Sequence, residues 1–190
     1  MHTVLLHGGA RDDIGVDMIH TLLCDALSAR GGTVESLRLA EMRIHPCTGC
    51  FACWMKTPGE CVHDDEGRVV ARAFVQADLR VLLTPLAFGG YGGVLKVALD
   101  RMIPTISPLF EWIHGEMHHR LRYPHPPPLA VVGWQRQADA ESADIFARLV
   151  ERNAINMHAP VHGALVLTEG QGVEEQRALL AELLRRVEVY

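Results

Sequence analysis

Basic and aromatic residues are scarce in this sequence. Among 190 residues, 18 are Lys or Arg against 23 Asp or Glu, the formal net charge is −5, and aromatic residues make up 6%. No stretch combines Lys and Arg with interleaved aromatic residues, which is the pattern of a surface that follows a phosphate backbone. We therefore expect no nucleic-acid partner.

Long apolar runs are also missing. No segment approaches the roughly 20 apolar residues of a membrane-spanning helix, and residues 1–9 lack the basic region and cleavage site of a signal peptide. We expect a cytoplasmic protein without a membrane partner. Because structural disulfides are rare in that reducing compartment, the clustered cysteines indicate metal or redox chemistry.

The chain has no internal repeat and no low-complexity tail. Its length and its 48% content of hydrophobic residues suit one buried core, so we predict a single domain over residues 1–190. Two segments differ from the rest of that domain. They are a cysteine-rich loop at 44–63 and a Pro/His-rich excursion at 104–128, which is too long for an ordinary connection and which we expect to be functional or to form an interface.

Short apolar runs alternate with stretches of helical apolar period. The predicted strands are residues 3–7, 33–39, 79–84, 129–134 and 161–167. Predicted helices cover 14–29, the residues after Asp64–Asp65, 93–103, 138–153 and 173–187. Because parallel neighbours need right-handed crossovers, this alternation predicts a flavodoxin-like, doubly wound α/β fold. We expect a five-stranded parallel sheet in the order 2-1-3-4-5 with helices on both faces.

Ligands of such sheets bind beyond the carboxyl ends of the strands, where the strand order reverses. The first loop there, residues 7–15, contains Gly9 and Gly15, and its N–H groups and the following helix start could hold a phosphate, with Arg11 as a charged donor. The loop after the fourth strand, with Trp134, would flank the same crevice.

The loop at 84–93 offers glycines for close approach and aromatic faces for a planar ring. A flexible turn with its aromatic residues packed on the sheet edge is the alternative. The candidate binding residues of this loop are Pro85, Leu86, Ala87, Phe88, Gly89 and Gly90.

Four cysteines, Cys47, Cys50, Cys53 and Cys61, have the spacing C-x2-C-x2-C-x7-C. That spacing is close to those that surround an iron–sulfur cluster within one loop. Zinc, a Cys47–Cys50 dithiol, and thiols that are simply packed or joined in a disulfide remain alternatives. Cys24 lies at an apolar helical position and is assigned to the core.

Histidines in the excursion allow a second metal hypothesis, because His114 and His118 would be one turn apart on a helix, with Glu116 or His125 nearby. Gly115 would weaken such a helix. A solvated, hydrogen-bonding loop is therefore the favoured interpretation, and Lys96 with the Asp100–Arg101 pair is expected to brace its own helix.

Several ordered segments together resemble the NAD(P)H-dependent FMN reductase-like flavodoxin superfamily, and within it the iron–sulfur flavoproteins. The segments are residues 46–53 (PCTGCFAC), 59–65 (GECVHDD), 77–78, 84–85 and 95–101 (LKVALDR). The resemblance implies FMN at the loops named above, NAD(P)H as co-substrate and assembly into homodimers or homotetramers. It further implies a 4Fe-4S cluster on the four cysteines.

The first loop departs from the family pattern. Gly9-Ala10-Arg11 stands where Ser-Pro-Arg is usual, and Ile14-Gly15-Val16 replaces a Gly-Asn-Thr type of segment. The carboxylates of Asp12 and Asp13 also lie beside the expected phosphate. The leading hypothesis is an FMN-dependent oxidoreductase that exchanges electrons with a small-molecule or protein partner. The alternative is a flavodoxin-fold scaffold that has lost FMN and binds zinc or a partner through the cysteine loop.

Overall fold

The computed structural model describes residues 1–187. Within that range there are eight strands: β1 His2–His7, β2 Thr33–Arg38, β3 Leu79–Ala87, β4 Gly90–Tyr91, β5 Ile106–Ile113, β6 Glu116–Leu121, β7 Leu129–Gln135 and β8 His162–Thr168. The same described residues form six α-helices: α1 Ile14–Ser28, α2 Ala52–Met55, α3 Gly67–Gln76, α4 Gly93–Asp100, α5 Ala140–Asn156 and α6 Val173–Val187. Short 3-10 turns cover Leu39–Glu41 and Ile103–Thr105.

The main sheet is parallel and has the strand order β2-β1-β3-β7-β8. At the centre of the sheet, His7 at the end of β1 pairs with Arg38 on one side and with Leu83 on the other. This order confirms the predicted 2-1-3-4-5 arrangement. The short β4 adds an antiparallel pairing to the end of β3, through Leu86 with Tyr91.

Both faces of the sheet are buried, as crossover helices require. On β1, Val4 and Leu6 pack with residues of α3, α4 and α5, whereas Leu5 packs with α1 and α6. All three side chains are fully buried. Their alternation, and that of β3 and β7, divides the core into two layers on either side of the sheet.

The helices begin and end close to their predicted bounds. Asp13 caps α1, because its Oδ1 accepts from the backbone N–H of Val16 at 3.2 Å. Asp139 caps α5 in the same way through the N–H groups of Glu141 and Ser142. Within residues 1–187, no helix has both the length and the apolar character needed to cross a membrane.

The excursion at 104–128 contains regular structure that the sequence pattern did not predict. Strands β5 and β6 pair antiparallel and form a hairpin. Its turn is His114–Gly115, with φ of 50° and 81°, so both residues adopt the left-handed conformation of a tight hairpin turn. His114 and His118 therefore do not share a helix face. The strands were not recognised in the sequence for two reasons. Prolines and histidines interrupt the segment, and many of the hairpin's large apolar side chains face outward, so no buried face marks the strands.

Candidate functional site

The loop after β1, residues 8–13, lies against the neighbouring strand and helix because Gly8 lacks a side chain. The Gly8 N–H donates to the Leu83 carbonyl at 2.8 Å. A Cβ on Gly8 would stand 2.6 Å from the Cβ of Leu95 on α4. We call residues 8–13 the phosphate loop, for the role considered below. It thereby contacts β3 and α4, the two elements that flank residues 88–92.

Several backbone donors of the phosphate loop are free. Among residues 1–187, the N–H groups of Gly9, Ala10, Arg11 and Asp12 donate to no acceptor. They lie at the carboxyl end of β1, just before the N-terminus of the 15-residue helix α1. Successive free N–H groups next to a helix start form an anion site. The loop therefore fits the phosphate of a mononucleotide, although it lacks the usual hydroxyl and amide side chains.

The predicted side chains of this loop take different positions. Arg11 is exposed, and its Nε donates to the Ala40 carbonyl at 3.2 Å. Val16 is fully buried, and its side chain lies under Gly9. A Cβ on Gly15 would stand 2.2 Å from Nε1 of Trp134, so the buried indole packs directly on α1. Of the predicted side chains in this part of the site, Arg11 is the one open to an anion.

Behind the phosphate loop lies a buried histidine that sequence reasoning overlooked. His7 is 1% exposed, and its Nε2 is 3.0 Å from Oδ1 of Asp17, which also pairs with Arg38 at 2.8 Å. Burial lowers the pKa of His7, and the Arg38 charge adds to that effect. The ring is therefore neutral at pH 7 and adds no charge to the anion site.

The loop after β3 is a tight turn rather than a flexible segment. Phe88 and Gly89 have φ of 51° and 74°, and Phe88 projects fully into solvent. Leu86 belongs to the strand and packs beneath Gly133, whose Cβ would stand 2.2 Å from Cδ1 of Leu86. The turn is tied down by the Gly92 N–H, which donates to the Thr84 hydroxyl at 2.9 Å. An exposed aromatic ring thus follows β3 at the carboxyl end of the strand.

The cysteine loop lies outside α3 and α4. Cys47 and Cys50 are exposed, Cys61 is half-buried and Cys53 is buried on α2. Trp54 fastens α2 to the start of the hairpin, since its Nε1 donates to the carbonyls of Ile103 and Ile106, each at 3.1 Å. All four thiol-bearing residues line one cavity of about 720 Å³, which shares only Gly90 with the predicted flavin residues.

A buried ion pair fixes both ends of this loop. Asp65 and Arg101 have side chains that are each 1% exposed, and two guanidinium nitrogens donate to the two carboxylate oxygens at 2.9 Å. Asp65 also accepts from the N–H groups of His45 and Gly67, at 2.9 and 3.0 Å. Arg101 had been expected to brace its own helix, whereas it binds a residue 36 positions away. Lys96 and Asp100 do form the expected pair within α4.

The surroundings of the thiols differ. A hydrogen bond from the backbone N–H of Ala52 lowers the pKa of the Cys50 thiol, whereas burial raises the pKa of the Cys53 thiol. Arg101 also contacts the Cys61 side chain. Cysteines are thus the right type of side chain for a thiolate-bound metal centre. In the described part of the chain, however, no three Cys, His, Asp or Glu side chains are close enough to hold a metal ion.

Fold and loops together define a flavodoxin-like α/β protein with a phosphate loop after its first strand. The family model described as NADPH-dependent FMN reductase matches residues 1–167. The chain belongs to this family, which confirms the prediction made from the cysteine loop and the later segments.

Curated relatives resemble parts of the chain. An iron–sulfur flavoprotein of Methanocaldococcus jannaschii is 28% identical over 104 residues, which are 55% of this chain and 53% of that protein. An iron–sulfur flavoprotein of Archaeoglobus fulgidus is 32% identical over 78 residues, 41% of this chain and 34% of that protein. The chain thus matches about half or less of the length of these relatives.

Solved structures show the same fold over nearly the whole chain. An NAD(P)H:quinone oxidoreductase from Methanothermobacter marburgensis has a TM-score of 0.68 at 16% identity, covering 98% of this chain and 96% of that one. An FMN-dependent NADH-azoreductase from Bacillus anthracis, solved with FMN, has a TM-score of 0.65 at 13% identity, covering 97% and 98%. At these identities the likeness concerns the fold.

The Asp65–Arg101 pair makes stability depend on acidic pH. Because hydrogen bonds from Arg101 hold the pKa of Asp65 far below its ordinary value, the pair stabilises the fold fully above about pH 5, and this stabilisation is lost as the pH falls through about 4 and below. We expect Asp65→Asn to lower the free energy of unfolding at pH 7 by about 3–5 kcal/mol. It should also flatten the decline of stability between about pH 5 and 3 in urea titrations. Asp144→Asn, at an exposed position of α5, is the control; an Asp65→Asn variant that keeps the wild-type decline would contradict the assignment.

Proposed function

We propose that this protein is an FMN-dependent oxidoreductase that takes electrons from NAD(P)H and delivers them to a small-molecule or protein acceptor. The observation that carries the proposal is the row of free N–H groups at Gly9–Asp12, at the carboxyl edge of the sheet. Family membership supports the same cofactor. Nothing observed in residues 1–187 favours the alternative of a scaffold without flavin.

The residues of the site have separable tasks in this proposal. The free N–H groups would bind the FMN phosphate, and Arg11, oriented by Ala40, would add a positive charge. Asp13 is engaged as the cap of α1, so its carboxylate is partly neutralised by the helix start. Phe88 and the glycines after it would lie against the flavin ring. When bound, FMN supplies the hydride and electron chemistry, and the protein contributes binding and orientation.

Arg11 offers a test of the phosphate loop. In the full chain stripped of flavin, Arg11→Met should weaken FMN binding by about tenfold, because a charge-assisted hydrogen bond contributes about 1.5–3 kcal/mol before solvent screening. Riboflavin, which has no phosphate, should bind both proteins equally. Fluorescence quenching of each flavin measures the affinities, and Arg148→Met on the exposed face of α5 is the matched charge control. Equal losses for FMN and riboflavin would place the phosphate elsewhere.

We also propose that Cys47, Cys50, Cys53 and Cys61 hold a 4Fe-4S cluster. Support comes from the lining of one cavity by all four residues and from the two relatives named as iron–sulfur flavoproteins. The loop would have to close around the cluster, which is consistent with the exposure of Cys47 and Cys50. Bound there, a cluster would add one-electron transfer to the two-electron chemistry of a flavin.

Reconstitution without oxygen tests the cluster. We expect the wild-type chain to take up about four iron and four sulfide per chain, as a 4Fe-4S cube requires, and to gain a broad visible absorption. Cys53→Ser should abolish this uptake because it removes one of the four thiolates. Cys24→Ser, which alters the one cysteine outside the loop, should leave it unchanged. One zinc per chain without sulfide, or equal uptake by Cys53→Ser, would refute the proposal.

The exposed free thiols are relevant to the cellular compartment in which the protein resides. All five cysteines are free, and two of them are exposed. Thiols of this kind persist where glutathione and thioredoxin keep them reduced. This supports our proposal of a cytoplasmic protein.

The β5–β6 hairpin supports a proposal of self-association into dimers or tetramers. Trp112 and Met117 lie opposite each other and are 73% and 60% exposed, and Phe110, two residues along β5, is 54% exposed. An apolar face of this kind on a projecting hairpin suits a second copy of the chain, because like surfaces pair across a two-fold axis.

The hairpin face can be tested by sedimentation velocity. We expect the wild-type chain to sediment as a dimer or tetramer and Trp112→Glu to shift it toward the monomer, since a charge would be buried at the interface. Val69→Glu, at a 46% exposed position of α3, should not alter the sedimentation coefficient. A monomeric wild-type chain would refute the assignment.

A further inference from the structure

The cavity beside the cysteine loop is large enough for a ligand of its own. Its volume of about 720 Å³ lies in the range of small-molecule sites, roughly 300–1,000 Å³. It extends from the cysteines along α3, α4 and α5 to the residues that follow β6. Apolar and aromatic side chains dominate its wall, among them Phe74, Tyr91, Leu99 and Leu149. The phosphate loop takes no part in it.

One charged residue of the wall is unusual. Arg80, the second residue of β3, is 7% exposed, and its Nε donates to the Phe74 carbonyl at 2.8 Å. Its Cζ lies 4.2 Å from the centroid of the Phe74 ring. Within residues 1–187, Arg80 forms no ion pair. Burial lowers its pKa to about 10, so the side chain stays cationic at pH 7.

The other charges around the cavity are already balanced. Lys96 pairs with Asp100 at 2.7 Å, and Arg101 pairs with Asp65 at 2.9 Å. Among the residues that line the cavity, the acidic one is Asp100, and it is already paired with Lys96. Arg80 is therefore left as a buried cation facing an apolar cavity without a carboxylate. Burying a charge without a partner is unfavourable, and a bound anion would remove much of that cost.

We propose that this cavity binds a small amphipathic anion, an aromatic carboxylate, whose acid group pairs with the guanidinium of Arg80. The planar body of the ligand would lie among Phe74, Tyr91 and Leu149, where apolar surface drives binding. A guanidinium matches a carboxylate with two parallel hydrogen bonds, which gives the site selectivity for the acid over a neutral analogue. The site is separate from the phosphate loop, so the inference does not rest on the binding of FMN.

A pair of isosteric probes tests this selectivity on the unmodified chain. By titration calorimetry in excess FMN, which would occupy the phosphate loop, we expect 2-naphthoate to bind at least about tenfold more tightly than 2-naphthamide. The two probes share the same ring system and differ in charge. Equal affinities, or no binding of either probe, would overturn the proposal.

Variants assign the selectivity to Arg80. Arg80→Met keeps an apolar stem over Phe74 and should abolish the preference for the acid while leaving the affinity for 2-naphthamide within about twofold. Arg80→Lys should retain part of the preference, because the charge remains. Arg148→Met, the same loss of charge on the exposed face of α5, should behave as the wild type. A preference that persists in a folded Arg80→Met variant would overturn the proposal.

A blocking variant locates the site even if Arg80→Met fails to fold. Asn156 lines the cavity from the exposed end of α5, so Asn156→Trp should obstruct it without disturbing the core. We expect both probes to lose binding in this variant, while its thermal unfolding temperature stays close to that of the wild type. Unchanged binding of 2-naphthoate to Asn156→Trp would place the anion outside the cavity and overturn the proposal.

Discussion

The buried ion pair between Asp65 and Arg101 is the constraint on which the cysteine loop depends. Its two carboxylate oxygens receive hydrogen bonds from the loop entrance at His45, the start of α3 at Gly67 and the guanidinium at the end of α4. Removing one partner of such a pair leaves a buried charge, whereas replacing the whole pair by well-packed apolar residues often costs little stability. Its contribution is therefore conformational: it defines where a 20-residue loop with little regular structure begins and ends, and so which cavity wall the thiols occupy.

The two candidate sites follow from different physics. The phosphate loop is a consequence of topology, since a parallel sheet brings the carboxyl ends of β1, β3 and β7 to one edge, and the absence of side chains at Gly8 and Gly9 lets the backbone turn there. The cavity beside the cysteines lies instead between helices and a hairpin that are far apart in sequence. A flavin at the first site and an anion or cluster at the second would meet different environments, one rich in backbone donors and the other apolar with one unpaired guanidinium.

The side chains that were predicted from the sequence to bind a cofactor fall into two groups, one exposed and one buried. Arg11 and Phe88 are open to a ligand, whereas Val16, Leu86 and Trp134 pack in the core. The type of residue could not separate these groups, because an apolar residue after a parallel strand suits either environment. The separation depends on close contacts such as that of the Trp134 indole with Gly15, which only the packed structure reveals.

By itself, the sequence determined the order of strands and helices, the parallel sheet, the glycine turn after the first strand and the close spacing of four cysteines along the chain. These depend on local periodicity, on glycine and on short spacings, all of which are encoded within a few residues. The tertiary structure alone decided that residues 106–121 form a hairpin, that Arg101 pairs with Asp65 and that Arg80 faces a cavity without a counter-charge. The physical reason is distance along the chain: pairing and burial between residues tens of positions apart depend on how the layers pack, and no local pattern carries that information.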